Sequence, residues 1–268
     1  MSADRAWAGG RVAASTACVL APNPSAMTLE GTNTWIWFGD GVCALADPGP
    51  DVDGHLDRVV QASGWPGVAV AAILLTHHHA DHSAGAAALS RRTGAPVLAW
   101  RDGSLGEGVV PLGDRRAPRL QVAHLPGHTE DSVGIIFAQD RAIATGDLVF
   151  DRGSAMIDWP DGSLRDYLRT LDRLAGLVAD LGLELILPGH GGVIADPAAQ
   201  IGRYRAHRLE RLDQIGAALG KLGAGAAPED ADLVDGIVRR VYGQIPPELA
   251  EAARRTVRAQ LEHLRDQR

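Results

Sequence analysis

The chain is short of cysteine, lysine and long apolar runs, and each shortage narrows what it can be. Its two cysteines, Cys18 and Cys43, lie far apart and without metal-ligand spacing, so two buried free thiols in a reducing cytoplasm are expected. Of 26 basic residues only Lys221 is a lysine, which reads as the codon bias of a GC-rich genome and not as an arginine-rich binding device. A formal charge of −7 argues against a polyanion-binding surface spread over the whole molecule, while leaving room for a local basic groove. The longest apolar stretch, Val68 to Leu75, is far too short to span a bilayer, so no membrane partner is expected. Val12 to Ala21 resembles a signal-peptide core only faintly, being rich in small residues with no strongly basic lead-in; a cytoplasmic location is expected. No low-complexity tail or short internal repeat occurs.

What is present is an ordinary apolar content of 46% over 268 residues, enough for one large domain or a domain plus a small appendage. Strands are predicted over Val12 to Ala21, Thr34 to Phe38 and Val42 to Ala46, the last two forming a hairpin across Gly39-Asp40-Gly41. His55 to Ala62 and Ser83 to Thr93 read as helices. Val68 to Leu75 is a continuous apolar run, which suits a strand covered on both faces. Val97 to Trp100, Leu120 to His124, Val133 to Ala138, Ala142 to Thr145 and Leu183 to Leu187 complete the strands. Leu164, Leu168, Leu171, Leu174 and Leu177 mark a helix by their spacing. After about Ala198 the pattern becomes purely helical: three helices, with Gly220 to Pro228 as a flexible connection and Pro246-Pro247 opening the last. A division into residues 1–198 and 199–268 follows. The second part holds 12 basic and 10 acidic residues, so it is basic only by comparison with the first.

Polar residues gather where strands end. His77, His79, Asp81 and His82 follow the run Val68 to Leu75. His128 sits in Pro126-Gly127-His128-Thr129, Asp147 in Thr145-Gly146-Asp147, and His190 in Pro188-Gly189-His190-Gly191. A single His-x-His is weak, since two imidazoles can simply be surface residues. Here four strand ends each deliver metal-ligand residue types, and the last three carry Gly or Pro that lets the backbone turn and aim the side chain.

The series resembles the metallo-β-lactamase superfamily, with the match running from Asn33 to His190. The resemblance implies an αββα sandwich, an α/β fold, here with a small all-α carboxy-terminal subdomain. It implies that His77, His79 and His128 hold one metal, that Asp81, His82 and His190 hold a second, and that Asp147 bridges them. Imidazole and carboxylate suit two Zn2+ ions, and a hard bridging carboxylate also tolerates iron or manganese. Two such ions about 3.5–4 Å apart deprotonate a water for attack, with Asp81 as the catalytic residue that orients it. Asp47 resembles the family's Asp that buttresses the metal loop from behind, and reads equally as a plain turn residue of Asp47-Pro48-Gly49. His78 is read as non-ligating, His124 as a strand-end structural residue, and His55 and His263 as lying on helix surfaces. Thr129 and Ser132 are placed around the His128 loop.

Ligand identity separates the relatives. Zinc β-lactamases generally replace the bridging Asp with Cys or Ser, so only weak promiscuous β-lactam turnover is expected. Flavodiiron proteins carry Glu at the position of His79. RNA-processing relatives with a large inserted cap need more residues between Asp147 and His190. Thr28-Leu29-Glu30-Gly31-Thr32-Asn33-Thr34-Trp35 resembles the Gly-Thr-Asn-Thr hairpin of the β-lactamase-like endoribonuclease group, and the three terminal helices resemble that group's winged-helix-like appendage, although the chain stops at Arg268 with no room for a β-wing. The resemblance implies attack on a phosphodiester of single-stranded RNA, with Thr32, Asn33 and Arg208 at the substrate cleft; as a set, Arg205, Arg208 and Arg211 read more readily as a solvated helix face than as an anion-binding row. Trp35, Trp37 and Trp159 read as packing residues more readily than as base-stacking surfaces. The alternative is a thioesterase or glyoxalase-II-like hydrolase of a small acyl ester, supported by the same metal set and the acidic balance. A homodimer is compatible with the sequence.

Overall fold

Two sheets form where the apolar runs predict strands. The computed structural model describes residues 6–52 and 54–267. Residues 1–5, Asp53 and Arg268, which fall within the expected spans 1–198 and 199–268, lie outside the described residues. The order is β1 (Gly10–Arg11), β2 (Thr16–Leu20), β3 (Asn33–Phe38), β4 (Val42–Ala46), α1 (His55–Ser63), β5 (Ala69–Leu74), α2 (Ala80–Ser83), α3 (Ala86–Thr93), β6 (Val97–Leu98) and β7 (Gly108–Val109). It continues through β8 (Leu120–His124), β9 (Val133–Phe137), β10 (Ala142–Gly146), α4 (Leu164–Leu181), β11 (Leu185–Pro188), α5 (Pro197–Leu222), α6 (Ala231–Tyr242) and α7 (Ala250–Asp266). Strands β1 to β6 form one sheet in chain order, and the second sheet runs β11-β10-β9-β8-β7.

Side-chain direction decides the layers, with a register shift between Val70 and Ala72 resetting the alternation along β5. In β5, Val70 and Ile73 face Val59 of α1 and Leu89 of α3, while Ala72 and Leu74 face the other sheet, where Ile135 and Leu187 meet them. That double coverage is what the continuous apolar run predicts. The outer face of the second sheet, with Ile136, Ile143 and Ile186, is covered by Leu164, Leu171 and Leu174 of α4 and by Ile201 and Tyr204 of α5. The result is helix, sheet, sheet, helix, the expected αββα sandwich. Trp35 and Trp37 are fully buried between the sheets and offer no stacking surface. Trp159 is half-buried under the Arg258 guanidinium, 5.3 Å from its ring centre.

Strand polarity then builds one functional edge. β4 and β5 are parallel, as are β10 and β11, so their carboxy ends lie together. Asp47, His77, Asp147 and His190 follow those ends, and His128 follows β8. Backbone bonds across the edge lock the sheets to each other: Val133 donates to Thr76 O at 2.8 Å, and Asn33 to Gly189 O at 2.8 Å.

Some elements differ from expectation. The helix predicted over Ser83 to Thr93 starts earlier and is broken into α2 and α3, because Gly85 donates its amide to Gly49 O at 2.9 Å and turns the chain there. Asp81 and His82 therefore ride on a separate helical turn. His55 is not on the surface of α1 but fully buried, with Nε2 3.2 Å from Thr34 Oγ1. Burial, aided by Arg58, lowers its pKa to about 4. The unfolded chain therefore takes up a proton near pH 6.5 that the folded chain refuses until about pH 4. Stability attributable to neutral His55 is intact above pH 6.5 and declines below it, by on the order of 2–3 kcal/mol. Urea unfolding of wild type and His55→Gln at pH 7 and pH 4.5 checks this; an equal acid loss in both proteins would refute it.

The carboxy-terminal part is all helical. Asp196 caps α5, its Oδ1 accepting the Ala199 amide at 3.1 Å, and Asp230 caps α6 through the Leu233 amide at 3.0 Å. The first half of α5 packs on α4; its second half, with Ile215 and Leu219, shares a separate core with Val234 and Ile237 of α6 and Val257 and Leu261 of α7. From residue 197 onward no strand forms among the described residues. No helix of the described residues is long and apolar enough to cross a membrane.

Candidate metal centre

The residues that the sequence spreads over 114 positions converge in two groups. His77, His79 and His128 bring ligand atoms within 4.8 Å of one another, and so do Asp81, His82, Asp147 and His190. Asp147 reaches both: Oδ2 lies 3.4 Å from His190 Nε2 and 3.9 Å from His128 Nε2, and Oδ1 lies 3.2 Å from His82 Nε2. Glycine makes this approach possible. At Gly189 a Cβ would stand 2.3 Å from Asp147 Oδ1, and at Gly127 (φ 142°) it would stand 2.4 Å from Tyr167 Cα.

Each imidazole is held by its outward nitrogen. Thr76 Oγ1 donates to Asp47 Oδ2 at 2.6 Å and so accepts from His77 Nδ1 at 3.1 Å. His79 Nε2 donates to Asp158 Oδ2 at 2.9 Å, and His82 Nδ1 to Asp47 Oδ2 at 2.9 Å. His128 Nδ1 donates to Met156 O at 2.8 Å, and His190 Nδ1 to Gly31 O at 3.2 Å. Five outward N–H bonds leave five inward lone pairs, the arrangement by which outer partners fix the tautomer of metal-ligating histidines. The inward atoms crowd together: His79 Nδ1 to His128 Nε2 is 3.1 Å, and His82 Nε2 to His190 Nε2 is 3.3 Å. His77 Nε2 and Asp147 Oδ1 are buried with no hydrogen-bond partner. Orphaned buried donor atoms on a converging set of imidazole and carboxylate groups fit divalent cations.

Electrostatics point the same way. Burial disfavours charge on His190, but Asp147 and Asp81 outweigh it and raise its pKa to about 9. His82, likewise opposed by burial, is raised by Asp147 and Asp47. Positive charge is thus favoured where those two Nε2 atoms point. His77 is instead held well below its ordinary value by burial and by its neighbours His82 and His128, and burial holds His128 near 4 despite Asp147. Burial works against an ionised Asp147, but His190 and His82 keep it ionised well below the usual range.

Asp47 stands behind the site, 1% exposed, with Oδ1 accepting the Thr76 amide at 2.8 Å. His78 points away from the centre, its Nδ1 2.9 Å from Asp131 Oδ1. His124 stacks on Trp100 at 4.1 Å and donates to Glu130 O. Thr129 and Ser132 bond to each other at 2.6 Å beside His128. Thr32 and Asn33 do not line the cleft. Both are fully buried, and Asn33 Nδ2 donates to Pro188 O at 3.0 Å and Gly191 O at 2.9 Å, clamping the His190 loop to the first sheet. Arg208 does line the cleft, whereas Arg205 pairs with Asp172 and Arg211 lies over Tyr242. The sequence carried no sign of Asp158. It holds His79 from one side and pairs with Arg255 of α7 from the other, a partner 97 positions away that no local pattern reveals.

A cleft of about 700 Å³ opens from His79, Asp81, Asp147 and His190. The loop Ala26–Leu29 and the segment 152–156 form two walls; helices α5 and α7 form the third.

An αββα sandwich carrying paired histidine–carboxylate groups at its strand ends defines a class of metal-dependent enzymes. Family comparison agrees: the model described as "Metallo-beta-lactamase superfamily" matches residues 27–99 and 109–190, and "Beta-lactamase associated winged helix domain" matches 234–268. The chain belongs to the metallo-beta-lactamase superfamily, whose members are typically metal-dependent hydrolases, and it is an enzyme of that kind. It is similar to an "Atrochrysone carboxyl ACP thioesterase" of Aspergillus chevalieri (28% identity; 88% of this chain, 75% of that one). It is also similar to a "Beta-lactamase-like protein 2 homolog" of Drosophila melanogaster (29% identity; 95% of this chain, 89% of that one). A solved beta-lactamase domain protein from Burkholderia ambifaria shares the fold at 21% identity, with TM-score 0.77 over 98% of this chain and 90% of that one.

Proposed function

We propose that the protein hydrolyses a small acyl thioester or ester held in the cleft beside a two-metal centre. The carrying observation is the character of the cleft walls. Met27, Leu29, Phe150, Met156, Ile245 and Leu249 line it, and two of its arginines are neutralised in place. Arg152 pairs with Glu30 and Asp151, and Arg255 with Asp158 and Glu251. Such a pocket suits an acyl chain better than a polyphosphate backbone, which needs a run of free cations. The similarity to a protein named a thioesterase supports the same reading.

His77, His79 and His128 would hold one divalent ion, Asp81, His82 and His190 a second, with Asp147 shared. When bound, such ions polarise a carbonyl oxygen and lower the pKa of water. The chain's own residues do the rest. Asp81, 32% exposed, presents its carboxylate to the cleft, where it orients the attacking water and accepts its proton. Asp158 and Asp47 keep the His79 and His82 rings in one orientation. The apolar walls exclude competing water from the acyl carbon.

The alternative, cleavage of single-stranded RNA, rests on the hairpin around Asn33 and on the appendage. Since Asn33 is spent on the His190 loop, the hairpin supports the site and does not read a substrate. Purified metal-loaded protein, incubated with acyl N-acetylcysteamine thioesters and separately with labelled single-stranded RNA, decides between them. The thioesters are expected to be cleaved at least about 100-fold faster than by Asp81→Ala/His82→Ala. Thioester turnover no higher than that of the double variant sinks the reading; RNA cut by wild type alone transfers the chemistry to the phosphodiester.

A further inference from the structure

Arg208 is the one cation on the cleft with no carboxylate within salt-bridge distance among the described residues, and it is only 2% exposed. Its Nη2 donates to Ala155 O, its Nε has no partner, and its Cζ lies 4.7 Å over the Tyr167 ring. Neither nearby phenol serves as a counter-ion. The Tyr167 hydroxyl donates to Leu148 O and that of Tyr204 accepts the Phe150 amide, and burial pushes both phenol pKa values up. A buried guanidinium without an opposite charge is costly unless something supplies one. Tyr167 also joins Arg208 to the centre, because its backbone packs against Gly127, next to His128, and its hydroxyl bonds the residue after Asp147.

We propose that Arg208 is a substrate-binding residue that pairs with a carboxylate on the acyl chain, so that the preferred substrate is a carboxyacyl thioester. This rests on the acyl-hydrolase reading above. A guanidinium, planar and permanently charged, matches a carboxylate in two-point geometry. The metal centre takes the thioester carbonyl, and Arg208 takes the far end of the same acyl group within one cleft.

The test compares glutaryl and pentanoyl N-acetylcysteamine thioesters, equal in chain length and different in terminal charge. Wild type is expected to favour glutaryl in kcat/KM by about 10- to 100-fold. In Arg208→Gln that ratio collapses toward one, and in Arg208→Lys it partly returns. A purely structural Arg208 would lower both substrates in parallel and leave the ratio intact, which overturns the proposal. Should Arg208→Gln not fold, the wild-type ratio still decides, because a ratio near one also overturns it. A second measurement avoids turnover: calorimetric binding of glutarate against pentanoate, in wild type and Arg208→Lys. If no thioester is hydrolysed but glutarate binds at least about 10-fold tighter than pentanoate and Lys weakens it, the anion site stands and the reaction assignment falls. If thioesters are hydrolysed without preference for glutaryl, the reaction stands and the anion site falls.

Discussion

Asp147→Ala is expected to lower thioester hydrolysis by on the order of 10³-fold and to cost the protein bound metal. The carboxylate reaches both ligand clusters, with Oδ2 3.4 Å from His190 Nε2 and 3.9 Å from His128 Nε2. It also sets the charge of the site, since its proximity raises the pKa of His82 and His190. Truncation removes the candidate shared ligand and leaves Asp81, 3.2 Å from His190 Nε2 and 3.6 Å from His82 Nε2, as the remaining anion beside those two inward imidazoles. Asp147→Asn keeps the volume and loses the charge, so it separates the two contributions: it too is expected to lose activity, with less disturbance of the fold. Elemental analysis of both variants beside steady-state rates reads the result. A variant holding two ions per chain at wild-type rate would show that Asp147 is not the shared ligand.

The second large effect belongs to Asp47. Its two oxygens accept the Thr76 amide, the Thr76 hydroxyl and His82 Nδ1, all buried, and its own backbone sits at φ 51° where β4 ends. Asp47→Ala leaves the Thr76 amide unsatisfied and frees the ring of His82, with Thr76 no longer fixed to orient His77. Breaking such a buried, fully bonded pair costs about 3–5 kcal/mol of folding stability. Loss of the outer partner of two ligands weakens metal affinity by about 10- to 100-fold. Urea unfolding in the presence of a chelator isolates the first effect from metal linkage, and metal titration reads the second. A stability change under about 1 kcal/mol in the chelated protein would mean that Thr76 and His82 are positioned by packing alone.

The ligand-type residues were legible in the sequence because each group follows a strand, and three of the four are flanked by Gly or Pro that turns the chain. Gly127 and Gly189 each stand where a side chain would strike a neighbour. The two-sheet fold was legible because hydrophobic runs of the right length recur between turn signals, and β5 declared its double coverage by having no polar alternation. What local pattern could not show are relations between distant segments. Asn33 looked like a cleft residue because its hairpin motif was visible and its partners, Pro188 and Gly191, were not. His55 looked exposed because a short helix next to a turn usually is, yet Thr34 and the loop after β4 cover it. Asp158 lies in Ile157-Asp158-Trp159-Pro160, with nothing in its own neighbourhood to mark it.

The contact between Arg255 and Asp158 gives α7 a role beyond that of a cleft wall. The same carboxylate orients His79, so the path from α7 to a candidate ligand is two bonds long. Residues 1–198 therefore do not contain every group that bears on the orientation of the candidate ligands. A chimera that kept every ligand of residues 1–198 and replaced the helices would inherit a differently supported His79. Sequence drift in the tail is, by this route, drift in the geometry of the candidate metal centre.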